Sequence, residues 1–479
     1  MNPRPVSFVA LAGLLAGCSL APVYSPPAIS IPAAYAHQDG WTLAKPADNL
    51  SRGPWWERFS DVTLNGLEAQ IEGQNPELAA ALARYDQARD FVDQARSGLF
   101  PTVGLGASTS ANRQSEHRPL RAGGPDNYGD SQLGVTVGYE LDFWGKIRNE
   151  VASRRALAQA SDADAATIRL SLQAELATDY FMLRGLDSQA QLLRDTVTAY
   201  GKAYDLTDAL YQGKVGTMAD VSRAQTQLST AKAQLSDVMA ARALLEHAIA
   251  ALIGKPASDF SLAPAVGVLE PPAVPLELPS TLLQRRPDIA SAERAVFAAN
   301  AEIGVAKAAF FPTISLGGVG GWQASAGNLL TAANLFWSLG PSVSLPLFQG
   351  GLLKAREKQA YAVFNETTDN YRAVVLTAFR EVEDARSQLT WLGKEQLDTD
   401  QAATSAQTTL DAALTLYRDG ATDYLNVVTA QTALLQAQQS GLQLKTRRLV
   451  ADVGLIRALG GGWTATDLPP PGEIAAAAG

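Results

Sequence analysis

Side chains that could do chemistry are few and widely spaced along these 479 residues. The histidines His37, His117 and His247 lie far apart and lack the HExxH spacing that aims two imidazoles at one zinc ion. The acidic run Glu381–Asp384 would lie on a helix, where consecutive carboxylates point in different directions. The glycine cluster Gly317–Gly321 lacks the long helix and acidic residue of a dinucleotide site. We therefore predict no catalytic residue, metal or cofactor, and a protein that is not an enzyme.

The one cysteine, Cys18, ends a pattern typical of a secreted lipoprotein. Arg4 gives a weakly basic start, and the apolar run Val6–Leu15 is too short to cross a bilayer as a helix. This pattern resembles the bacterial lipobox and predicts a signal peptide over 1–17 with lipidation of the Cys18 thiol. The residue after the cysteine is Ser19 and not Asp, which favours sorting of the lipoprotein to the outer membrane. The alternative is an ordinary secretory peptide that happens to end at a cysteine.

Composition excludes several classes of protein. The chain is 47% hydrophobic and 18% charged, which is too apolar for a disordered chain. The formal net charge is -9 and no Lys/Arg cluster stands out, so we expect no nucleic-acid partner. No cysteine follows Cys18, which removes disulfides and thiolate chemistry from the rest of the chain.

The sequence contains an internal repeat. Short motifs recur with an offset of 211 residues early in each copy and 206 residues later. The recurring pairs are Asn75–Glu77 with Arg286–Asp288, Phe100–Thr102 with Phe311–Thr313, and Ala224–Leu228 with Ala430–Leu434. We predict two copies of one structural unit over 62–255 and 281–462, joined by a proline-rich linker over 256–280. An N-terminal lipid-anchored extended segment over 18–61 and a C-terminal tail over 463–479 complete the division.

Each copy begins with a helix and continues with two alternating segments. The first helix is predicted over about 62–96, and its counterpart begins near Pro287. A Phe-Pro pair then ends each helix, because proline lacks an amide donor and disfavours helix at the preceding residue. Alternation of apolar and polar residues predicts hairpins over about 101–144 and 312–347. The apolar positions are Val103, Leu105, Ala107, Ala111, Leu133, Val135, Val137, Tyr139, Leu141 and Phe143, then Ile314, Leu316, Trp322, Trp337, Leu339, Val343, Leu345 and Leu347.

A four-stranded sheet in one chain has unpaired amides and carbonyls along its two edges. The free energy of leaving these groups unpaired in hydrocarbon is too high. Segments of about 12 residues suit a tilted membrane strand. Several chains would therefore share one closed barrel, with Gly, Ser, Thr and Gln lining a watery lumen. The strands, considered alone, also fit a soluble sheet with one face exposed to water.

The remaining tracts predict long coiled-coil helices. No proline occurs between Pro125 and Pro256 or between Pro346 and Pro469. Apolar residues recur with an average spacing of 3.5 residues, and glycines interrupt each tract once. The apolar positions are Ala224, Leu228, Ala231, Leu235, Val238, Leu245, Ile249 and Leu252, then Ala430, Leu434, Ala437, Gly441, Leu444, Ala451, Leu455 and Ala458. Each tract thus predicts two helices that meet at a tip, and a helix over about 147–210 would be near 95 Å long.

Six motifs in order along the two copies resemble the outer membrane efflux protein family, and within it the lipidated OprM-like branch of TolC-like factors. The motifs are Cys18–Tyr24, Trp55–Phe59, Tyr139–Lys146, Arg285–Ile289, Phe310–Pro312 and Pro346–Gly351. The resemblance implies an α+β fold: a homotrimer with a 12-stranded transmembrane β-barrel, four strands per chain, continued by a 12-helix coiled-coil α-barrel. It also implies a passive exit duct in the bacterial outer membrane. The expected partners are outer-membrane lipid, a periplasmic adaptor and an inner-membrane efflux pump.

The resemblance also implies site residues at the periplasmic end. The positions that match acidic gate residues of the family are Asn426 and Thr429, and neither is charged, so Leu425 would seal by apolar contact. Tyr417 and Asp220 match a pair that bonds the two hairpins in the closed state, although Tyr417 could equally be a packing residue. The adaptor-contact tips would be Gly213, Lys214, Gly216 and Gly420, with Lys214 in the place of the tip glycine in the first copy.

Two other functions remain open from sequence. A structural periplasmic lipoprotein, a coiled-coil spacer without a pore, would explain Cys18 and the helices but not the alternating hairpins. A member of the same family that serves protein export would share every motif.

Overall fold

The computed structural model describes residues 19–29, 54–117, 125–267 and 284–475. Cys18 and the 1–17 segment lie outside the described residues, as do most of the 18–61 segment and of the linker. The helices and strands in chain order are α1 (Val62–Gln74), α2 (Pro76–Ser97), β1 (Thr102–Arg113), β2 (Asn127–Leu141), α3 (Lys146–Gln212), α4 (Met218–Leu252), α5 (Pro287–Ala308), β3 (Thr313–Ala324), β4 (Leu335–Ser344), α6 (Leu352–Arg418) and α7 (Tyr424–Ala458). A short 3₁₀ helix, Trp55–Phe59, precedes α1.

The internal repeat is visible in the element lengths. Helices α3 and α6 each have 67 residues, and α4 and α7 each have 35. Corresponding ends of these helices differ by 206 residues, which is the later of the two sequence offsets. At 1.5 Å per residue, α3 and α6 are about 100 Å long, so the predicted rod-like helices are confirmed. None of the described helices combines the length and apolar character needed to span a bilayer.

The single helix predicted over about 62–96 is wrong, because the chain forms two helices there. Pro76 cannot donate an amide hydrogen bond to the preceding turn, and it stands at the first position of α2. Asn75 between the helices is extended, and its side chain accepts hydrogen bonds from the amides of Glu77 and Leu78. Its Nδ2 atom donates to the Leu252 carbonyl, which anchors the break against the end of α4.

The four strands form one antiparallel sheet in the order β1-β2-β3-β4. Both predicted hairpins form, and β2 pairs with β3, so the two repeats are continuous through the sheet. Phe143, Leu345 and Leu347 are not strand residues as predicted, because β2 ends at Leu141 and β4 at Ser344. Strands β1 and β4 keep free edges within one chain, which is the condition that demands neighbouring subunits.

The register separates the sheet into an apolar and a polar face. Large apolar side chains on one face are exposed in the single chain, as expected of a surface that faces lipid. They include Leu105, Val135, Leu316, Trp337 and Leu339. The other face carries mainly Gly, Ser, Thr and Gln. The predicted alternation is therefore present across all four strands.

Two helical layers continue from the sheet. Near the strands, α3 packs between α2 and α5, and α5 also contacts α6. Toward the tips, α3 packs between α4 and α7, and α7 contacts α6. A β-carbon added to Gly185 on α3 would lie 2.3 Å from Oγ1 of Thr446 on α7, so glycine allows the two hairpins to approach closely here.

A buried ionic cluster fixes the segment that leaves the first repeat. Asp187 on α3, with a side chain 1% exposed, accepts from Arg184 at 3.0 Å and from Arg242 of α4 at 2.6 Å. Arg242 also donates to the Leu262 carbonyl at 2.6 Å, and the amide of Ala265 donates to Asp187 at 3.1 Å. We name these three side chains and the 262–265 backbone the linker clamp. It holds the beginning of the linker against the α3–α4 hairpin.

The N-terminal segment lies at the strand end of the helices. Ser19 Oγ donates to Asn149 Oδ1 at 2.8 Å, in the first turn of α3. Asn300 on α5 donates to the Pro22 carbonyl at 2.9 Å, and the Tyr24 ring meets the Phe297 ring edge-on at 5.0 Å. These contacts tie a helix from each repeat to the segment that directly follows Cys18.

Candidate functional site

Both hairpin tips use the same backbone geometry. After α3, the Lys214 amide donates to the Tyr211 carbonyl and the Val215 amide to the Leu210 carbonyl. After α6, the amides of Gly420 and Ala421 repeat these two bonds with the same offset of 206 residues that relates the long helices. This is the Schellman arrangement, whose second bond requires a left-handed residue just past the helix.

Lys214 and Gly420 occupy that left-handed position, with φ of 58° and 72°. A side chain is strained there, whereas glycine is not. Thr217 and Asp423 then cap α4 and α7 with their side chains. The predicted tip residues Gly213, Gly216 and Gly420 therefore lie in the two turns. Lys214 takes the left-handed position in the first turn, where the second turn has Gly420.

Tyrosines from three helices fill the space between the hairpins just above the tips. The Tyr417 and Tyr424 rings lie 5.3 Å apart, and Tyr424 packs with Ala224 of α4. Burial, followed by the nearby Tyr417, Tyr200 and Asp220, raises the pKa of Tyr424 to about 12. Tyr200 of α3 is also buried, and its hydroxyl makes no hydrogen bond within the described part of the chain. We name Tyr200, Tyr417 and Tyr424 the tyrosine cluster.

Sequence reasoning did not identify Tyr200 and Tyr424. Tyr424 lies six residues before Ala430, the first position of the heptad pattern in α7, and Tyr200 lies inside a tract without any assigned pattern. Their signal was the recurrence of tyrosine close to both glycine tips. A groove of about 640 Å³ runs beside the cluster between α3, α6 and α7. The hairpins are thus loosely packed directly above their aromatic contact.

Asp220, the proposed partner of Tyr417, is bonded mainly within its own helix. Its carboxylate accepts from the Thr217 hydroxyl at 2.7 Å and from Arg223 at 3.2 Å. Burial and the charge of Asp220 both raise the pKa of Tyr417, so the two side chains are close although no direct hydrogen bond joins them here. The two side chains therefore lie within electrostatic range of each other, and the bond between the hairpins stays a prediction.

The predicted gate residues share one exposed face at the start of α7. Leu425, Asn426 and Thr429 are exposed, whereas Tyr424 and Val427 on the opposite face are buried. Thr429 donates to the Leu425 carbonyl at 2.9 Å, and Asn426 donates to the Thr422 hydroxyl. This face carries an isobutyl, an amide and a hydroxyl group and no charge.

Metal-binding groups of three or more His, Cys, Asp or Glu do not occur among the described residues. His247 is exposed on α4, and His117 lies in the loop after β1. Within the predicted Glu381–Asp384 run, Glu381 pairs with Arg286 at 2.6 Å. The Glu381 carboxylate is thus paired with the residue that directly precedes α5.

A family model described as "Outer membrane efflux protein" matches residues 67–255 and 278–461. The chain belongs to this family. The cation efflux system protein CusC of Escherichia coli O6:H1 is 30% identical over 472 residues, which cover 97% of this chain and 100% of CusC. The pyoverdine export outer membrane protein OpmQ of Pseudomonas aeruginosa is 30% identical over 474 residues, covering 97% and 98%. The solved structure of the outer-membrane channel OprN matches with a TM-score of 0.87 at 30% identity, covering 93% of this chain and 100% of that chain.

Membership of the outer membrane efflux protein family determines the assembly. The chain is one third of a trimeric channel, in which four strands from each subunit make a 12-stranded barrel and the helices continue it into the periplasm. Closing such a barrel requires the free edges of β1 and β4 to pair between neighbouring subunits. The predicted fold, outer-membrane location and efflux function are confirmed by these similarities.

Proposed function

We propose that this efflux protein is a passive exit duct, which receives its cargo from a periplasmic adaptor and an inner-membrane pump. The observation that carries the proposal is continuity: one chain runs from a sheet with a polar inner face into helices about 100 Å long that end in two exposed tips. The first tip exposes Lys214, Val215 and Met218, and the second exposes Arg418 and Asp419, so both tips offer side chains against which another protein can dock. The described residues contain no constellation for catalysis.

The cargo would be set by the pump. CusC and OpmQ are equally similar to this chain, and their names refer to cations and to pyoverdine respectively. One channel architecture that is equally similar in sequence to both relatives would therefore conduct chemically different compounds. A lumen lined by hydroxyls, amides and glycines has little chemistry with which to select among them.

The tyrosine cluster and Asp220 would act as the periplasmic latch, and the exposed face of Leu425, Asn426 and Thr429 as the closed constriction. The first hairpin is held by the linker clamp, whereas the second has no Asp at the position equivalent to Asp187, which is Gly393. We infer that opening moves the α6–α7 hairpin away from the fixed α3–α4 hairpin.

Replacing Asp220 by alanine tests the pore and the latch together. Purified wild-type trimer in planar bilayers should give discrete conductance steps, and D220A should raise the open probability about fivefold, as expected for loss of about 1 kcal/mol of closed-state interaction. Asp237→Ala, an exposed change farther along α4, is the control and should leave opening unchanged. Absence of conductance from the wild type would support a spacer without a pore. Normal conductance with unchanged opening in D220A would discard the latch alone.

We also propose that Cys18 carries the lipid anchor. Its neighbour Ser19 is hydrogen-bonded to the first turn of α3. Helix α3 begins at Lys146, only five residues beyond the end of β2. An acyl chain on Cys18 would therefore enter the membrane beside the base of the barrel.

Mass spectrometry of the mature N-terminus should find Cys18 acylated in the wild type and in Ser19→Ala, which keeps the thiol. Cys18→Ala should lack the lipid and retain the 1–17 segment, because no thiol is present to be acylated. A free Cys18 thiol in the wild-type protein would contradict the proposal.

A further inference from the structure

Two strand residues differ from all others in the sheet. Across β1, β2, β3 and β4, Gly134 and Gly321 are the buried positions, whereas every other strand residue is exposed or half-buried in the single chain. A glycine has no side chain to bury. A neighbouring group must therefore cover its backbone.

The strand register identifies this covering group. Gly106, Gly134, Gly321 and Phe336 are paired in succession across the four strands and form one row. Alternation places this row on the polar face, because Val135 and Leu316 belong to the opposite, apolar face. In the trimer the polar face lines the lumen. The row thus brings three glycines and one phenylalanine to one level of the channel wall.

The Phe336 side chain reaches along this wall toward β2. Its backbone is on β4, and its Cζ atom lies 3.8 Å from the position that a β-carbon on Gly134 of β2 would occupy. Neighbouring strands are about 4.8 Å apart, so the side chain crosses β3 and reaches toward the second strand away. An aromatic ring that covers glycines on adjacent strands restores packing that the glycines lack. A ring standing upright from β4 could not approach Gly134.

Glycine at 321 is required because β2 and β3 approach each other closely at this row. A β-carbon there would lie 2.1 Å from the Leu133 carbonyl oxygen and 2.5 Å from Gly134 Cα. Gly106, at the far end of the same row, has no atom within 4 Å of its added β-carbon and is exposed. Gly134 on β2 and Gly321 on β3 therefore form a recess in the wall, and one Phe336 ring per subunit fills it.

We propose that Phe336 and the recess formed by Gly134 and Gly321 set the bore of the membrane barrel. The ring lies in the wall because these two glycines leave room for it. Three rings, one from each subunit, would narrow the lumen if that room were filled. Phe336 is thereby a size-determining residue for conducted cargo. Apart from Tyr128 near the loop end, it is the aromatic residue on the polar face of the described strands. The inference rests on the channel function of this protein.

Gly134→Val tests the recess against Gly106→Val, which adds the same bulk in the same row but away from the ring of its own subunit. Both variants are assembled as full-length trimers, with heat-modifiable gel migration as the check of assembly. Single-channel conductance in planar bilayers should fall by about half or more in G134V, because its three rings are forced into the lumen, and much less in G106V. Adding Phe336→Ala to G134V should restore conductance to the G106V level. Gly134→Thr serves as a second variant if valine prevents assembly.

Equal conductance in G134V and G106V, or no recovery in the double variant, would overturn the inference. These outcomes are distinct from failure of the channel function, in which the wild-type trimer itself would not conduct. Exclusion of neutral polymers of graded size gives an independent readout. The size cut-off should fall in G134V and return in G134V/F336A, whereas a merely structural role of Phe336 would leave the double variant no better than G134V.

Discussion

Replacing Asp187 by alanine will destabilise the assembled channel by about 3 to 5 kcal/mol, the range seen when one partner of a buried ion pair is removed. Two guanidinium groups, Arg184 and Arg242, would lose their shared carboxylate, and the Ala265 amide would lose its acceptor. The side chain is 1% exposed, so water cannot replace it without opening the packing. The temperature at which the detergent-solubilised trimer unfolds measures the effect.

Asp195→Ala is the matched control for this prediction. Asp195 is exposed on the same helix two turns farther on, and it accepts one hydrogen bond from the Gln191 side chain. Surface substitutions of this kind change stability by less than about 0.5 kcal/mol. If D187A and D195A unfolded at the same temperature, the linker clamp would contribute nothing to stability and could not distinguish the two hairpins.

The clamp also shows how the two copies diverged. Positions equivalent to Arg184, Asp187 and Arg242 are Thr390, Gly393 and Arg448, so the second copy lacks the central acid. The pattern of heptads is nearly the same in both copies, and it gives no indication of this difference. Only the folded chain brings residues 184, 187, 242 and 262–265 together.

Periodic features were predictable because each residue contributes to them independently. The alternation in β2 and the heptads of α4 and α7 depend on side-chain polarity at fixed spacing, and both are present in the structure. The break at Asn75 was missed because helix-forming residues surround it, although Pro76 alone ends one helix and begins another. The tyrosine cluster and the Phe336 recess depend on packing between elements distant in sequence. Single-sequence patterns do not record such contacts.

A buried carboxyl on α1 shows the same limit. Glu68 lies in a helix with Leu64 and Ile71 and would be assigned to the surface by its type. It is 0% exposed, and neither carboxylate oxygen has a hydrogen-bond partner in the described residues. Burial raises the pKa of Glu68 to about 9, so the group is protonated in the folded protein at neutral pH.

Glu68→Gln should therefore stabilise the channel, by an amount that depends on pH. The folded-state pKa is above the unfolded value near 4.5, so the unfolded chain releases a proton first and stability falls as pH rises from about 4.5 to about 9. Glutamine does not ionise and escapes this loss. The gain should be near zero at pH 4.5, roughly 3 kcal/mol at pH 7 and largest above pH 9.

Unfolding temperatures of the solubilised trimer at pH 5, 7 and 9 would measure this gain as a widening difference between E68Q and wild type. Glu72→Gln, one turn away and half-exposed, is the control. It removes an ion pair with Arg169 at 2.9 Å and should lower stability slightly at every pH above 5, because surface pairs contribute little. A difference for E68Q that did not grow with pH would mean that Glu68 is already ionised in the folded state. Titrations of Asp179 and Asp452, whose pKa values burial also raises, are common to both proteins and cancel in the comparison.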